Sequence, residues 1–242
     1  MTSSTDPSAA PPPPGPEQPR PPAPFFPRGE RAPRPPPVCA AVIGLSVGLF
    51  VVDALLSQGA TLKGRMGPLF QWLALYGPLV QEGQYWRILG CIFTHGGPLH
   101  LALNMWVAYS LGTPFERAIG SGRFLVLSVI AALGSSAFAL LFNFEVVTVG
   151  ASGMILGYGG AILLTATREF RRSILFWLVQ VAALSLIPGV SWAGHLGGFV
   201  FGLPVGLALR AGPRVFMRAA PLLFAIAVGV VYITAHPARF RG

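Results

Sequence analysis

Charge is what this chain has least of. Asp, Glu, Lys and Arg make up 10% of its 242 residues, where a soluble domain carries about a quarter. That deficit excludes an ordinary soluble core. Cysteine is nearly absent as well, with Cys39 and Cys91 alone, so neither a disulfide framework nor a cysteine-rich metal site is expected. On the topology read below, the two lie near opposite faces of the bilayer, where they cannot pair. Acids are scarcer than bases, 8 against 17, for a net charge of +9. The bases are scattered between apolar stretches instead of gathered on one face, which argues against nucleic acid as a partner. The N-terminus lacks a short basic-then-apolar start with a small-residue cleavage site, so no signal peptide is expected.

What is there is apolar. The chain is 53% hydrophobic with a mean hydropathy of +0.63, which reads as an all-α, polytopic membrane helix bundle. Residues 1–37 stand apart, holding 15 of the 24 prolines. Proline removes backbone donors and favours extended chain, so this stretch reads as a disordered, cytoplasmic tail acting as a tether. Seven apolar segments follow, at 38–56, 98–115, 124–142, 152–167, 174–187, 192–209 and 219–234. Several are shorter than the ~20 residues of a simple span. Short helices suit places where a protein cavity or a thinned bilayer shortens the crossing.

Basic residues set the orientation. With the N-terminus inside, inner segments collect 12 Lys and Arg and outer segments five, Lys63, Arg65, Arg87, Arg239 and Arg241. This bias predicts a cytoplasmic N-terminus and an external C-terminus. Residues 57–97 are too long for a plain connection and carry Trp72, Tyr76, Tyr85 and Trp86. Amphipathic rings favour the membrane–water boundary, so an external interfacial loop with short helical pieces is expected.

Two residues in this apolar setting carry nucleophilic chemistry. Ser152, inside Gly150-Ala151-Ser152-Gly153, opens the fourth segment, and His195, followed by Gly198, opens the sixth. A neutral serine is weak until an adjacent base takes its proton, and ionisable groups at membrane depth are rare and functional by default. Gly150 and Gly153 permit a sharp turn into the helix. The free N–H groups and dipole of a helix N-terminus favour developing negative charge, which makes the Ser152 N–H an oxyanion donor. Read alone, Ser152 is better explained as a helix N-cap, since a lone G-x-S-G is a weak signal. His195 shifts that balance, because both residues enter from the same external side. The sixth segment carries Gly194, Gly198, Gly202 and Gly206, and the fourth answers with Gly153, Gly157 and Ala161. Small residues at this spacing allow close helix approach, bringing Ser152 and His195 within hydrogen-bond reach.

A second constellation, His95, His100 and Asn104, stands at the mouth of the second segment. His100 and Asn104 are four apart and share a helix face; both can donate to an oxyanion. His95 precedes the turn and is placed to buttress the loop or orient His100. A zinc reading is poorer, because His95 and His100 do not share a face and no Cys, Asp or Glu completes a shell. Asp53 and Glu116 are not placed as the acid of a triad, so a Ser–His dyad is expected. Trp86-Arg87 and Glu116-Arg117 read as anchors or caps, and His236 as a residue without a special role.

Together these residues resemble the rhomboid family of intramembrane serine proteases. Gly150-Ala151-Ser152-Gly153 is similar to its G-x-S-G nucleophile motif. His195 with Gly198 and Gly202 is similar to its sixth-span element, and His95, His100 and Asn104 match its second-span signature. The resemblance implies a rhomboid-like six-helix catalytic core over residues 38–210, with a lateral gate near the fifth span. A seventh transmembrane helix and short tail would fill 211–242. One departure is Leu156, where the family often places an aromatic against the catalytic His. Tyr158, about 200° around the helix from Leu156, is expected to point away.

The expectation is an intramembrane serine endopeptidase. It would cleave transmembrane protein substrates near the external boundary of the lipid bilayer, by default in the plasma membrane. Neither a metal nor an organic cofactor is implied, and the oligomeric state is not legible. A catalytically silent, helix-binding relative should lack the dyad, and a solute transporter should show internal repeats, which are not evident.

Overall fold

Proline in the first turn opens six helices of this chain, where its missing N–H costs nothing and its fixed φ suits the helix. The computed structural model describes residues 36–237. Most of the proline-rich segment expected at 1–37, and Arg239 and Arg241, lie outside the described residues.

The elements follow the apolar segments. Helix α1 runs Pro37–Leu56, and the segment 57–97 after it folds into a 3-10 turn and the short helices α2 (Pro68–Leu73), α3 (Gly77–Gln81) and α4 (Arg87–Gly90). Helix α5 (Pro98–Val107) continues through a π-helical turn, Ala108–Gly112, into α6 (Thr113–Ile119). Then come α7 (Ser121–Phe142), α8 (Ser152–Thr165), α9 (Arg168–Leu184), α10 (Trp192–Ala211) and α11 (Pro213–Ala235). A single β-bridge, Leu75 to Thr148, is the only strand-like pairing among the described residues.

Four of these helices, α1, α7, α10 and α11, are long and apolar enough to cross a membrane on those criteria alone. Helix α8, with 14 residues, is shorter, about 21 Å against a hydrocarbon core of about 30 Å. Its neighbours explain this. Every residue from Gly153 to Ile162 is buried, so α8 is solvated by protein and not by lipid. Helices α7 and α10 flank it. The face between α8 and α10 is glycine-lined in both directions. A Cβ on Gly198 would collide with the Gly153 carbonyl, and one on Gly202 with the Gly157 carbonyl. Reciprocally, one on Gly153 would sit 2.8 Å from the Gly194 carbonyl oxygen, and one on Gly157 2.9 Å from that of Gly198. Backbones pack directly on backbones here, as the glycine stripe predicted.

Buried charge ties the periphery together. The Glu116 carboxylate accepts the Val38 and Cys39 amides at 3.0 and 2.7 Å, satisfying orphan donors at the start of α1. Asp53, near the C-terminal end of α1, accepts from Thr61 Oγ1 at 2.8 Å and from the Leu69 amide at 2.7 Å. Arg87 is buried and donates to the Gln71 and Ala74 carbonyls at 2.7 and 2.8 Å. Glu116 and Arg87 thus act as the anchors that the sequence suggested, and Asp53, read only as no triad acid, holds the segment after α1. His236 is not the idle residue expected. It is buried, 3.1 Å from the Tyr85 hydroxyl, and pins the end of α11 to the segment 57–97.

Candidate active site

The segment 57–97 holds the turn that presents Ser152. The Leu75 and Thr148 backbones exchange hydrogen bonds at 3.0 and 2.9 Å, Gly77 N donates to Phe144 O, and Gly150 N donates to Cys91 O at 2.9 Å. Gly150 itself has φ +112°, a conformation open to glycine and strained for other residues. A side chain there would also meet the His100 ring at 2.8 Å. The chain then enters α8 with Ser152 as its first residue.

His195 arrives from the opposite helix. Ser191 caps α10, its hydroxyl accepting the Gly194 amide at 3.3 Å, which places His195 in the first turn. Because α8 and α10 touch along their glycines, His195 Nε2 lies 2.7 Å from Ser152 Oγ. Gly153 and Gly198 are part of that contact.

The other ring nitrogen of His195 has a partner that the sequence did not single out. Nδ1 lies 2.6 Å from Ser185 Oγ, at the C-terminal end of α9. No spacing rule relates a serine ending one helix to a histidine ten residues on, so only the fold displays the pair. Leu156 is buried in α8, while Tyr158 points to the other side, its hydroxyl 2.9 Å from Ser128 Oγ and its ring against Phe124.

His100 Nδ1 accepts the Gly96 amide at 3.3 Å, which leaves Nε2 as the donor of the ring, on the edge that packs over Gly150. Asn104 Nδ2 donates to the His100 carbonyl at 2.9 Å, so one of its two N–H groups is engaged within the helix and the other is left for an acceptor. His95 stands edge-on to His100 with ring centroids 5.1 Å apart. It is buried with neither ring nitrogen hydrogen-bonded, and it lines a small cavity with Asp53, Phe50 and Thr94. Burial, with His100 beside it, lowers the His95 pKa to about 3, so this ring is neutral.

A serine hydroxyl bonded to a half-buried imidazole, at a helix N-terminus within an apolar bundle, defines the class: a polytopic membrane helix bundle that carries a hydrogen-bonded Ser–His pair. Residues 82–212 match the rhomboid domain. The chain is 34% identical over 172 residues to "Rhomboid protease GluP" of Bacillus subtilis, covering 65% of this chain and 33% of that protein. It is 36% identical over 152 residues to "RHOMBOID-like protein 5" of Arabidopsis thaliana, covering 58% and 49%. To "Rhomboid protease GlpG" of Yersinia enterocolitica it is 27% identical over 180 residues, covering 69% and 60%. The chain therefore belongs to the rhomboid family and is an integral, multi-pass membrane protein. It spans between 33% and 60% of the length of these three relatives. The matched domain contains His95, His100, Asn104, Ser152 and His195, and α11 begins where it ends.

Proposed function

We propose that this protein is an intramembrane serine endopeptidase that cleaves transmembrane-helix substrates near the external membrane boundary with a Ser–His dyad. The observation that carries the reading is the 2.7 Å approach of His195 Nε2 to Ser152 Oγ. Family membership adds to it, since two of the similar proteins are named as rhomboid proteases.

The Ser152 hydroxyl passes its proton to Nε2 as Oγ attacks the scissile carbonyl. The oxyanion accepts hydrogen bonds from the Ser152 N–H, from His100 Nε2–H and from the Asn104 amide. Donors fixed before the reaction need no reorganisation as charge develops. The imidazolium then gives its proton to the leaving amine, and the C–N bond breaks. Water, deprotonated by Nε2, hydrolyses the acyl-enzyme and restores Ser152. A substrate helix must unwind locally to be cut, because its carbonyls are hydrogen-bonded within the helix. The basic-residue bias supports a site facing the external side of a plasma membrane, with the N-terminus cytoplasmic.

Covalent labelling with a fluorophosphonate probe, on protein in liposomes, tests the reading. Wild type should label, and Ser152→Ala and His195→Ala should not. Labelling that persists in folded Ser152→Ala would overturn the proposed nucleophile.

A further inference from the structure

His195 has no acid. Asp53 is held by Thr61 and the Leu69 amide, and Glu116 by the amides that open α1. Yet an imidazole that is to accept a proton at Nε2 must carry its own proton at Nδ1, and it must be kept from rotating. A neutral histidine without a partner at Nδ1 populates both tautomers, and one of them points an N–H at the serine it should deprotonate.

The geometry points to Ser185 as the positioning residue that fixes His195 in its reactive tautomer. The inference rests on the protease reading above and deepens it. Ser185 Oγ makes two hydrogen bonds, at 2.7 Å to the Val181 carbonyl and at 2.6 Å to His195 Nδ1. A carbonyl can only accept, so the single hydroxyl proton goes to Val181, four residues back on the same helix. The lone pairs of Oγ are then left to face Nδ1, which must donate. Nε2 is thereby bare, and it is Nε2 that lies 2.7 Å from Ser152 Oγ. The direction of every proton along the line Ser152, His195, Ser185, Val181 is set by the acceptor at its end.

Ser185 takes no proton at any stage. When His195 accepts the Ser152 proton, Nδ1–H stays where it is and the Ser185 oxygen solvates the imidazolium. The hydroxyl is buried at 7% exposure, although the two residues that follow it, Leu186 and Ile187, are more than half exposed. Along α9 itself Ile174 is the one fully buried residue. The end of a helix otherwise turned outward thus reaches in to the reacting imidazole through one side chain.

The test uses the full chain in detergent or nanodiscs, with Ser185→Ala and Ser185→Thr. Fluorophosphonate inactivation of Ser185→Ala should show a maximal rate on the order of 10-fold below wild type with the probe's apparent affinity unchanged. Ser185→Thr, which keeps the hydroxyl, should recover to within about 2-fold. The second readout needs no activity. Ring nitrogen NMR of 15N-histidine protein, with the His195 signals assigned by their loss in His195→Ala, should show Nδ1 protonated and Nε2 bare. Ser185→Ala should move both signals toward a tautomer average, and a merely structural serine would leave them in place. Folded Ser185→Ala with wild-type tautomer and wild-type labelling overturns the proposal. A wild type that fails to label while Ser185→Ala still releases the tautomer would refute the protease reading and uphold Ser185 as the positioning residue.

Discussion

The distance between Ser152 and His195 is set by glycine, and Gly198→Ala is the perturbation that reads it. A Cβ on Gly198 would fall 2.5 Å from the Gly153 carbonyl carbon and closer still to its oxygen, where ordinary contact begins at 3.4 Å. The obstacle is backbone, which no rotamer change can clear. Helices α8 and α10 must therefore part by roughly 1 Å or more, at a cost of about 1–3 kcal/mol for overpacking a close-packed contact. Gly153 adjoins Ser152, and Gly198 lies one turn from His195. Most of the separation is thus delivered to the dyad, opening its 2.7 Å hydrogen bond toward about 4 Å. A misplacement of that size costs about 100-fold in rate. The assay is fluorophosphonate inactivation per mole of folded protein, with thermal unfolding in the same detergent. Gly206→Ala is the control. Its Cβ would stop 2.7 Å from Ala161 Cα, about 12 Å further along the helix. It should destabilise while leaving labelling within about 3-fold. Gly198→Ala that labels at the wild-type rate with an unchanged unfolding temperature would refute the claim that this stripe sets the dyad's geometry.

Gly150→Ala combines a strained φ of +112° with a 2.8 Å encounter with His100. It should cost about 1–3 kcal/mol and abolish labelling, checked by the same pair of assays. Glu116→Gln leaves the α1 amides with a weaker, neutral acceptor, so stability should fall by about 1–2 kcal/mol while folded protein labels normally. His95 has a pKa lowered to about 3 in the folded protein, against about 6.5 unfolded. The unfolded chain binds the extra proton between these values, so this group's contribution is complete above about pH 6.5 and is lost as pH falls toward 3. The expected slope is up to about 1.4 kcal/mol per pH unit, and His95→Asn should flatten it in denaturation titrations. Tyr85→Phe removes the hydroxyl that holds His236, and should loosen α11 by about 1 kcal/mol without affecting labelling.

The helices were legible from their apolar runs alone, while the residues that open them show only in the structure. Pro98 and Pro213 open α5 and α11, and Ser191 caps α10. The apolar segment read at 219–234 is a longer helix from Pro213, since Arg214 and Arg218 are tolerated in its first turns although they break the hydrophobic run. The approach of Ser152 to His195 was legible because the every-fourth-residue glycines of two segments face one another, so one periodic pattern predicted one close contact. The segment 57–97 was legible only in outline. Its aromatic content marked an interface, but the pairing of Leu75 with Thr148, and of Gly150 with Cys91 O, joins backbone groups far apart in sequence. Backbone pairing of that kind leaves no signature in residue type. The same holds for His236, whose partner Tyr85 is 151 residues away.

Ser185 was hidden for a different reason, and it bears on how such a site can work without a carboxylate. In the family's pattern the expected support for the histidine is an aromatic four residues after the nucleophile, and here that position is Leu156, which cannot fix a tautomer. A carboxylate at Nδ1 would fix it, but an ionised acid in an apolar bundle carries a desolvation penalty of several kcal/mol that must be met at every stage of the cycle, including the resting state. A hydroxyl already satisfied by the Val181 carbonyl offers an oriented acceptor with no net charge to bury. It stabilises the imidazolium less than a carboxylate would, so its deletion should cost far less than removal of a triad acid, which in a soluble serine protease is about 10,000-fold. The size of the Ser185→Ala effect therefore separates two designs. A loss on the order of 10-fold fits a neutral residue that sets orientation alone. A loss above about 1,000-fold would mean that Ser185 stabilises the imidazolium about as strongly as a charged group, and the account of a charge-free support for His195 would have to be abandoned.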